Sequence, residues 1–152
     1  MIKLNKKPNI LVIGDLMIDH YLWGSCDRIS PEAPVQVVNV KKESSVLGGA
    51  GNVINNLVTL GSVVDVISVI GNDSVANELK SLLEKIDVPT SNLVVENNRK
   101  TSKKSRLIAS QQQVLRYDME SINDISEQSS NKILENLNEN NTTVSNISNF
   151  DI

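Results

Sequence analysis

The chain has 152 residues, enough for one domain with its own core, and its formal net charge of −3 disfavours nucleic acid as the main partner. Hydrophobic residues make up 39% of the sequence but aromatic residues only 3%, so a folded soluble protein with an aliphatic core is expected. The single cysteine, Cys26, excludes a disulfide framework or a zinc cluster within the chain. A lone cysteine fits a reducing compartment, so we expect a cytoplasmic protein, and because no apolar stretch approaches the roughly 18 residues of a membrane span, we expect no membrane partner.

The first predicted element is a buried strand over residues 10–13, which are all aliphatic. Two carboxylates, Asp15 and Asp19, follow it in what we interpret as a long polar loop that reaches residue 34. Ligands of open α/β sheets bind at the carboxyl ends of the strands, and carboxylate oxygens accept hydrogen bonds from hydroxyl groups. The two residues therefore favour a polyhydroxylated ligand, although Asp15 could instead simply cap a turn.

A second strand is predicted over residues 35–40, where apolar and polar positions nearly alternate. A glycine cluster at residues 48–52 then leads into a helix predicted over residues 52–60. Such a cluster presents backbone N–H groups to a ligand, and Asn52 adds a side-chain amide at the same point. A plain tight turn explains the glycines equally well, and the cluster fits neither the dinucleotide-binding nor the Walker fingerprint.

The rest of the chain alternates between predicted strands and helices, which indicates a parallel α/β sheet. The 35–40 strand and a hairpin near residues 105–118 do not fit that alternation, so we expect them to form a separate small antiparallel sheet. In chain order the remaining predictions are a strand at 63–70, a helix with an apolar stripe from Val75 to Ile86, a strand at 93–95, the hairpin of 106–109 and 114–118, a weaker helix at 126–137, an Asn-rich loop, and the start of a strand at 150–152.

This arrangement resembles the ribokinase-like (PfkB) sugar kinases, in which a parallel sheet with flanking helices carries a small β lid. The resemblance rests on Asp-x-x-x-Asp at residues 15–19, on Gly-Gly-x-x-Asn at residues 48–52 and on Arg-Ile-Ser-Pro-Glu-Ala-Pro at residues 28–34. The last segment is the most specific and looks like the heptose 7-phosphate kinase domain of bifunctional ADP-heptose synthases. The resemblance covers residues 8–120 and implies that residues 1–152 are the N-terminal part of such a kinase domain, with a truncated sheet.

The resemblance also implies a set of substrate-binding residues. The carboxylates and the start of the first helix would hold the sugar, and basic residues of the lid would bind its 7-phosphate, because guanidinium and ammonium groups suit an oxyanion. The alternative for each basic residue is a solvated lid face that binds nothing. The implied set is Asp15, Asp19, Gly48, Gly49 and Asn52 for the sugar and Lys104, Arg106 and Arg116 for the phosphate.

The family that the chain resembles transfers the γ-phosphoryl group of ATP to the anomeric hydroxyl of D-glycero-D-manno-heptose 7-phosphate, on the way to the lipopolysaccharide core. Its catalytic base is the Asp of a Gly-Ala-Gly-Asp segment that these 152 residues do not contain. We therefore expect ATP and Mg²⁺ to bind outside this chain, the chain alone to be inactive, and its lid to form a homodimer. The alternatives are a ribokinase-like kinase for another sugar and a non-catalytic module for sugar-phosphate binding or dimerisation.

Overall fold

The computed structural model describes residues 7–139, which form two sheets and three helices. Within these residues no helix is both long and apolar enough to cross a membrane. Most of the predicted Asn-rich loop and the predicted strand start at residues 150–152 lie outside the described residues. The elements are, in chain order, β1 (Asn9–Ile13), β2 (Leu16–Ile29), β3 (Gln36–Gly49), α1 (Ala50–Thr59), β4 (Val63–Gly71), α2 (Ser74–Glu84), β5 (Leu93–Glu96), β6 (Ser102–Ala109), β7 (Gln112–Met119) and α3 (Glu127–Glu139).

The first sheet is parallel, with strand order β1-β4-β5, and forms the core of the α/β fold. Its central strand β4 is a nearly continuous β-branched run, as expected for a strand covered on both faces. Ile54 of α1, Leu79 of α2 and Val66 of β4 are buried in one hydrophobic cluster. The predicted ribokinase-like α/β class is confirmed in this sheet and its helices.

One carboxylate ties the core sheet to the second sheet. Asp73 is the N-cap of α2, and its Oδ1 accepts the N–H of Ala76 at 2.8 Å. Its other oxygen accepts the N–H of Thr101 at 2.9 Å, immediately before β6. The Thr101 hydroxyl in turn accepts the N–H of Gly71, at the end of β4, at 2.9 Å. The end of β4, the start of α2 and the start of β6 are thus fixed to each other.

The second sheet, called the lid sheet below, has strand order β3-β2-β6-β7. It is mixed and not purely antiparallel, because β6 pairs with β2 in parallel whereas the other two pairs are antiparallel. The prediction that residues 14–34 form a loop is wrong, since residues 16–29 are strand β2 and only residues 30–35 connect it to β3. The predicted strand at 35–40 is likewise too short, because β3 continues to Gly49. Burial of alternate side chains, such as Leu16 and Ile18, stabilises β2 against the core.

The two sheets meet where β3 passes directly into α1. Gly49 has a φ of +56°, a left-handed conformation that turns the chain from strand to helix at little cost only for glycine. The N–H of Ala50 then donates to the carbonyl of Asp15 at 3.0 Å. The carboxyl end of β1, the start of α1 and the base of the lid sheet therefore lie together.

Candidate functional site

One side of the lid sheet carries half of the predicted binding residues, and we call it the charged face. Successive side chains of a strand point to opposite sides, and residues paired across strands share a side. Asp19 of β2 pairs with Lys104 of β6, which pairs with Asp118 of β7, and Arg106 pairs with Arg116. The charged face therefore includes Asp19, Lys104, Arg106, Arg116 and Asp118.

An ion pair between Asp19 and Arg106 lies at the centre of this face. Arg106 Nη1 donates to Asp19 Oδ1 at 2.5 Å, and the two side chains are only 23% and 21% exposed. The hydrogen bond from Arg106 to Asp19 raises the pKa of the guanidinium further above its ordinary value, so Arg106 stays charged at any physiological pH. A Cβ atom at Gly48 would lie 2.5 Å from Asp19 Oδ2, so the missing side chain at Gly48 provides the space for the carboxylate.

The other two basic residues of the charged face are also paired with carboxylates. Lys104 Nζ lies 3.4 Å from Asp118 Oδ2 and 3.3 Å from Glu120 Oε2, and Arg116 Nη2 donates to Asp118 Oδ2 at 3.0 Å. Lys104 and Arg116 thus share one acceptor, Asp118. Each side chain has further N–H groups that can donate to a ligand. An anion that binds here would compete with these carboxylates for donors that are already held in place.

The start of α1 supplies the second half of the site. A Cβ atom at Gly49 would lie 2.6 Å from the carbonyl oxygen of Asp15, so this close approach requires glycine. Within the described residues no side chain caps the N-terminus of α1, where the helix dipole favours negative charge or hydroxyl oxygens. The side chains of Asp15 and Asn52 are exposed beside it. Because Gly48 contacts Asp19 and Gly49 contacts Asp15, the glycine pair joins the two halves of the site.

The sequence analysis missed three residues of the charged face. The rings of Tyr21 and Trp23 stack at 5.5 Å between centroids with planes 17° apart. The Arg106 guanidinium lies 5.4 Å from the Tyr21 ring centre, and Lys42 Nζ lies 5.3 Å from that of Trp23. If residues 16–29 had been recognised as a strand, the alternation of Asp19, Tyr21 and Trp23 would have placed the two aromatic residues on the same side as Asp19.

The opposite side of the lid sheet anchors it to α2. Lys103 Nζ donates to Glu78 Oε2 at 3.0 Å, and the hydroxyl of Ser45 also bonds this carboxylate. Burial raises the pKa of Glu78, but these hydrogen bonds outweigh burial and bring the pKa below its ordinary value. His20, expected in a loop, lies in β2 on this side, where its Nδ1 is 3.2 Å from Ser105 Oγ. His20 therefore points away from the charged face.

Two cavities of the described part of the chain lie away from the charged face, one of about 220 Å³ lined by Val58 and Ile86 and one of about 330 Å³ lined by Glu96 and Lys132. Among residues 7–139, no three His, Cys, Asp or Glu side chains are placed so that they could hold a metal ion. A ligand on the charged face would thus be held by side-chain and backbone groups of this chain.

Comparison with known proteins identifies close relatives. The profile of the pfkB family of carbohydrate kinases matches residues 7–148. The chain is 86% identical over 137 residues to the bifunctional protein HldE of Aliarcobacter butzleri (strain RM4018), covering 90% of this chain and 29% of that protein. It is 63% identical to the bifunctional protein HldE of Sulfurimonas denitrificans, covering 86% of this chain and 27% of that protein. The chain thus spans less than a third of the length of these curated relatives.

Solved structures share the fold at lower identity. An Arabidopsis thaliana ribokinase complexed with ribose and ATP superimposes with a TM-score of 0.57 at 17% identity, covering 76% of this chain and 36% of that one. A carbohydrate kinase from Agrobacterium tumefaciens gives a TM-score of 0.58 at 20% identity, covering 74% of this chain and 35% of that one. At such identities the likeness concerns the fold alone.

Proposed function

The chain belongs to the pfkB family of carbohydrate kinases, and we propose that it is the sugar-binding part of a longer kinase. The substrate of that kinase is D-glycero-D-manno-heptose 7-phosphate, and the accepting group is its anomeric hydroxyl. The observation that carries the proposal is the Asp19–Arg106 pair, which lies beside Gly48 at the junction of the lid sheet and α1. A carboxylate next to several cations suits a ligand that has both hydroxyl groups and a phosphate, and the resemblance at residues 28–34 favours a heptose.

The sugar end of the substrate is assigned to the junction of the two sheets. The carboxylates of Asp15 and Asp19 accept hydrogen bonds from sugar hydroxyls, and Asn52 offers both a donor and an acceptor. Gly48 and Gly49 let the sugar approach the backbone closely, because neither position presents a Cβ atom. These residues bind and orient the sugar for the transfer step.

The phosphate end of the substrate is assigned to the basic residues of the charged face. Arg106 keeps donors free beyond the one bonded to Asp19, and a guanidinium can bind a phosphate through two parallel hydrogen bonds. Arg116 and Lys104 add positive charge on neighbouring strands. When the phosphate binds, it takes over donors that Asp118 shares in the free protein.

ATP is the phosphoryl donor in this proposal, and Mg²⁺ accompanies it. We assign both to a later part of the longer kinase, as the resemblance implies. The catalytic base is likewise assigned to a part of the longer kinase beyond these residues. The proposed location is the cytoplasm.

A homodimer through the lid completes the proposal. Every residue of β7 is exposed, including Leu115, Tyr117 and Met119, which are 52%, 47% and 47% exposed. An open edge strand with apolar side chains tends to pair with another chain. The same observation favours a second candidate function, a non-catalytic module that binds sugar phosphate and assembles through its lid.

Calorimetric titration of the 152-residue chain tests the binding roles. We expect heptose 7-phosphate to bind and ATP to give no signal, and we expect Asp19→Asn to weaken binding about tenfold or more. Leu134→Ala, an exposed position on α3 beside the core sheet, is the control and should bind like the parent. Equal affinity of the parent and the Asp19→Asn variant would contradict the proposed site.

Activity assays separate the two candidate functions. The longer protein should phosphorylate heptose 7-phosphate when ATP is added, and the 152-residue chain alone should not. Turnover by the isolated chain would refute the division of roles proposed here. Binding without turnover by the longer protein would favour the non-catalytic module.

A further inference from the structure

The aromatic pair on the charged face has no role in the function proposed so far. We propose that Tyr21 and Trp23 are positioning residues for Arg106, which hold its guanidinium plane ready for an anionic ligand. The ligand part of this inference rests on the proposed function, because a sugar phosphate is the anion concerned. The ordering of Arg106 itself depends on no ligand.

Four side chains form a continuous row, which we call the aromatic row: Lys42, Trp23, Tyr21 and Arg106. Tyr21 and Trp23 lie two positions apart on β2, and each has a cation from a neighbouring strand over its ring. A cation over an aromatic face is attracted by the electron-rich ring, and the stacked pair adds its own favourable contact. The row therefore continues from β3 across β2 to β6.

The row is not part of the hydrophobic core. Neither Tyr21 nor Trp23 belongs to the cluster of buried residues around Ile54, and both are only partly buried. The sequence has one Trp, two Tyr and one Phe, so half of its aromatic residues stand in this row. In a chain with so few aromatic residues, the stacking of Tyr21 on Trp23 beside the Asp19–Arg106 ion pair indicates that the two rings act on that ion pair.

Arg106 needs two constraints to be fixed. The hydrogen bond from Nη1 to Asp19 holds one corner of the guanidinium but leaves it able to rotate about that contact. The Tyr21 ring supports the guanidinium at 5.4 Å and limits that rotation, while stacking on Trp23 limits the movement of Tyr21. A guanidinium that is already oriented loses less entropy when it binds an anion. The two aromatic residues thus increase affinity through Arg106.

Side-chain NMR of the 15N-labelled chain tests the ordering of Arg106 directly. The Nε–H signal of Arg106 is assigned by its loss in Arg106→Lys, and its heteronuclear NOE measures its mobility. We expect a rigid signal in the parent, in Tyr21→Phe, which keeps the ring, and in the control Leu134→Ala on α3. Tyr21→Leu and Trp23→Leu should make the signal mobile. A signal in Tyr21→Leu as rigid as that of the parent would overturn the proposal.

Calorimetry with heptose 7-phosphate tests the consequence for binding. We expect Tyr21→Leu to weaken binding about two- to fivefold, and Tyr21→Phe to restore the parental affinity. If Tyr21→Phe binds as weakly as Tyr21→Leu, the ring is not what matters and the proposal fails. If the parent itself does not bind the sugar phosphate, the proposed function fails, and the NMR result alone decides the positioning role. If Tyr21→Leu does not fold, the NMR and the calorimetric measurements are made with Trp23→Leu and Tyr21→Phe instead.

Discussion

Replacement of Asp73 by alanine removes two hydrogen bonds at the point where α2 and β6 both begin. The carboxylate accepts the N–H of Ala76 at 2.8 Å and that of Thr101 at 2.9 Å. An N-cap contributes about 1 kcal/mol, and a hydrogen bond to a charged group about 1.5–3 kcal/mol. Because the two bonds share one partly exposed carboxylate, we expect Asp73→Ala to lower the free energy of unfolding by about 2–3 kcal/mol.

The pH dependence gives a second, independent prediction for Asp73. Burial raises the pKa of Asp73, but the backbone hydrogen bonds from Thr101 and Ala76 outweigh burial and bring the pKa below its ordinary value of 3.8. Because the pKa of Asp73 is lower in the folded state, its ionised carboxylate stabilises the fold fully at pH values above the ordinary pKa. This stabilisation is lost as the pH falls through the pKa of the folded state. The stability difference between the parent and Asp73→Ala should therefore be constant near neutral pH and shrink below pH 3.8.

Urea unfolding, followed through the fluorescence of the sole tryptophan, Trp23, measures both effects. Asp73→Asn should have an intermediate stability. Its amide has one acceptor oxygen, so it can replace only one of the two hydrogen bonds that the carboxylate accepts. Asp124→Asn, in an exposed loop, is the matched control and should unfold like the parent. An Asp73→Ala variant within about 0.5 kcal/mol of the parent at neutral pH would refute the reasoning.

Three further substitutions test other contacts of the same region. Gly48→Ala places a Cβ atom 2.5 Å from the carboxylate of Asp19, so calorimetry should show heptose 7-phosphate binding weakened about tenfold. Gly49→Ala forces a side chain onto a φ of +56° and should lower the free energy of unfolding in urea by about 1–3 kcal/mol. Glu78→Gln weakens the bond from Lys103 and should cost about 0.5–1 kcal/mol at neutral pH. Because the pKa of Glu78 lies below its ordinary value of 4.5, that last difference should vanish in urea unfolding carried out well below pH 4.5.

Much of the core was predictable from local sequence. The strand at 63–70 and the helix after residue 73 were predicted to within about two residues, since a β-branched run and an apolar stripe are local patterns. The family, too, was predicted from short motifs and is confirmed by the family profile over residues 7–148. Strand β2 was missed because Asp15, Asp19 and Gly24 are typical of loops, and the partner that compensates Asp19 lies on β6.

The site was predictable residue by residue but not as an arrangement. Asp19, Gly48 and Arg106 were each singled out, yet the contact of Asp19 with Arg106 depends on a parallel register between strands far apart in the sequence. Asp19 and Arg106 are separated by 87 positions, and no local pattern encodes such a pairing. The binding roles of these residues stay predictions until the titrations described above are made.

The parallel pairing of β2 with β6 also has a kinetic consequence. The residues His20 and Ser105, which meet across this pair, are 85 positions apart. At the usual rates of protein synthesis, roughly 4–17 s pass between the synthesis of β2 and that of β6. During that time β2 and β3 form a long hairpin with an open edge and an unpaired carboxylate. Contacts of such high contact order form late, so we infer that the charged face is among the last parts of this chain to fold and that its nascent edge requires protection from aggregation.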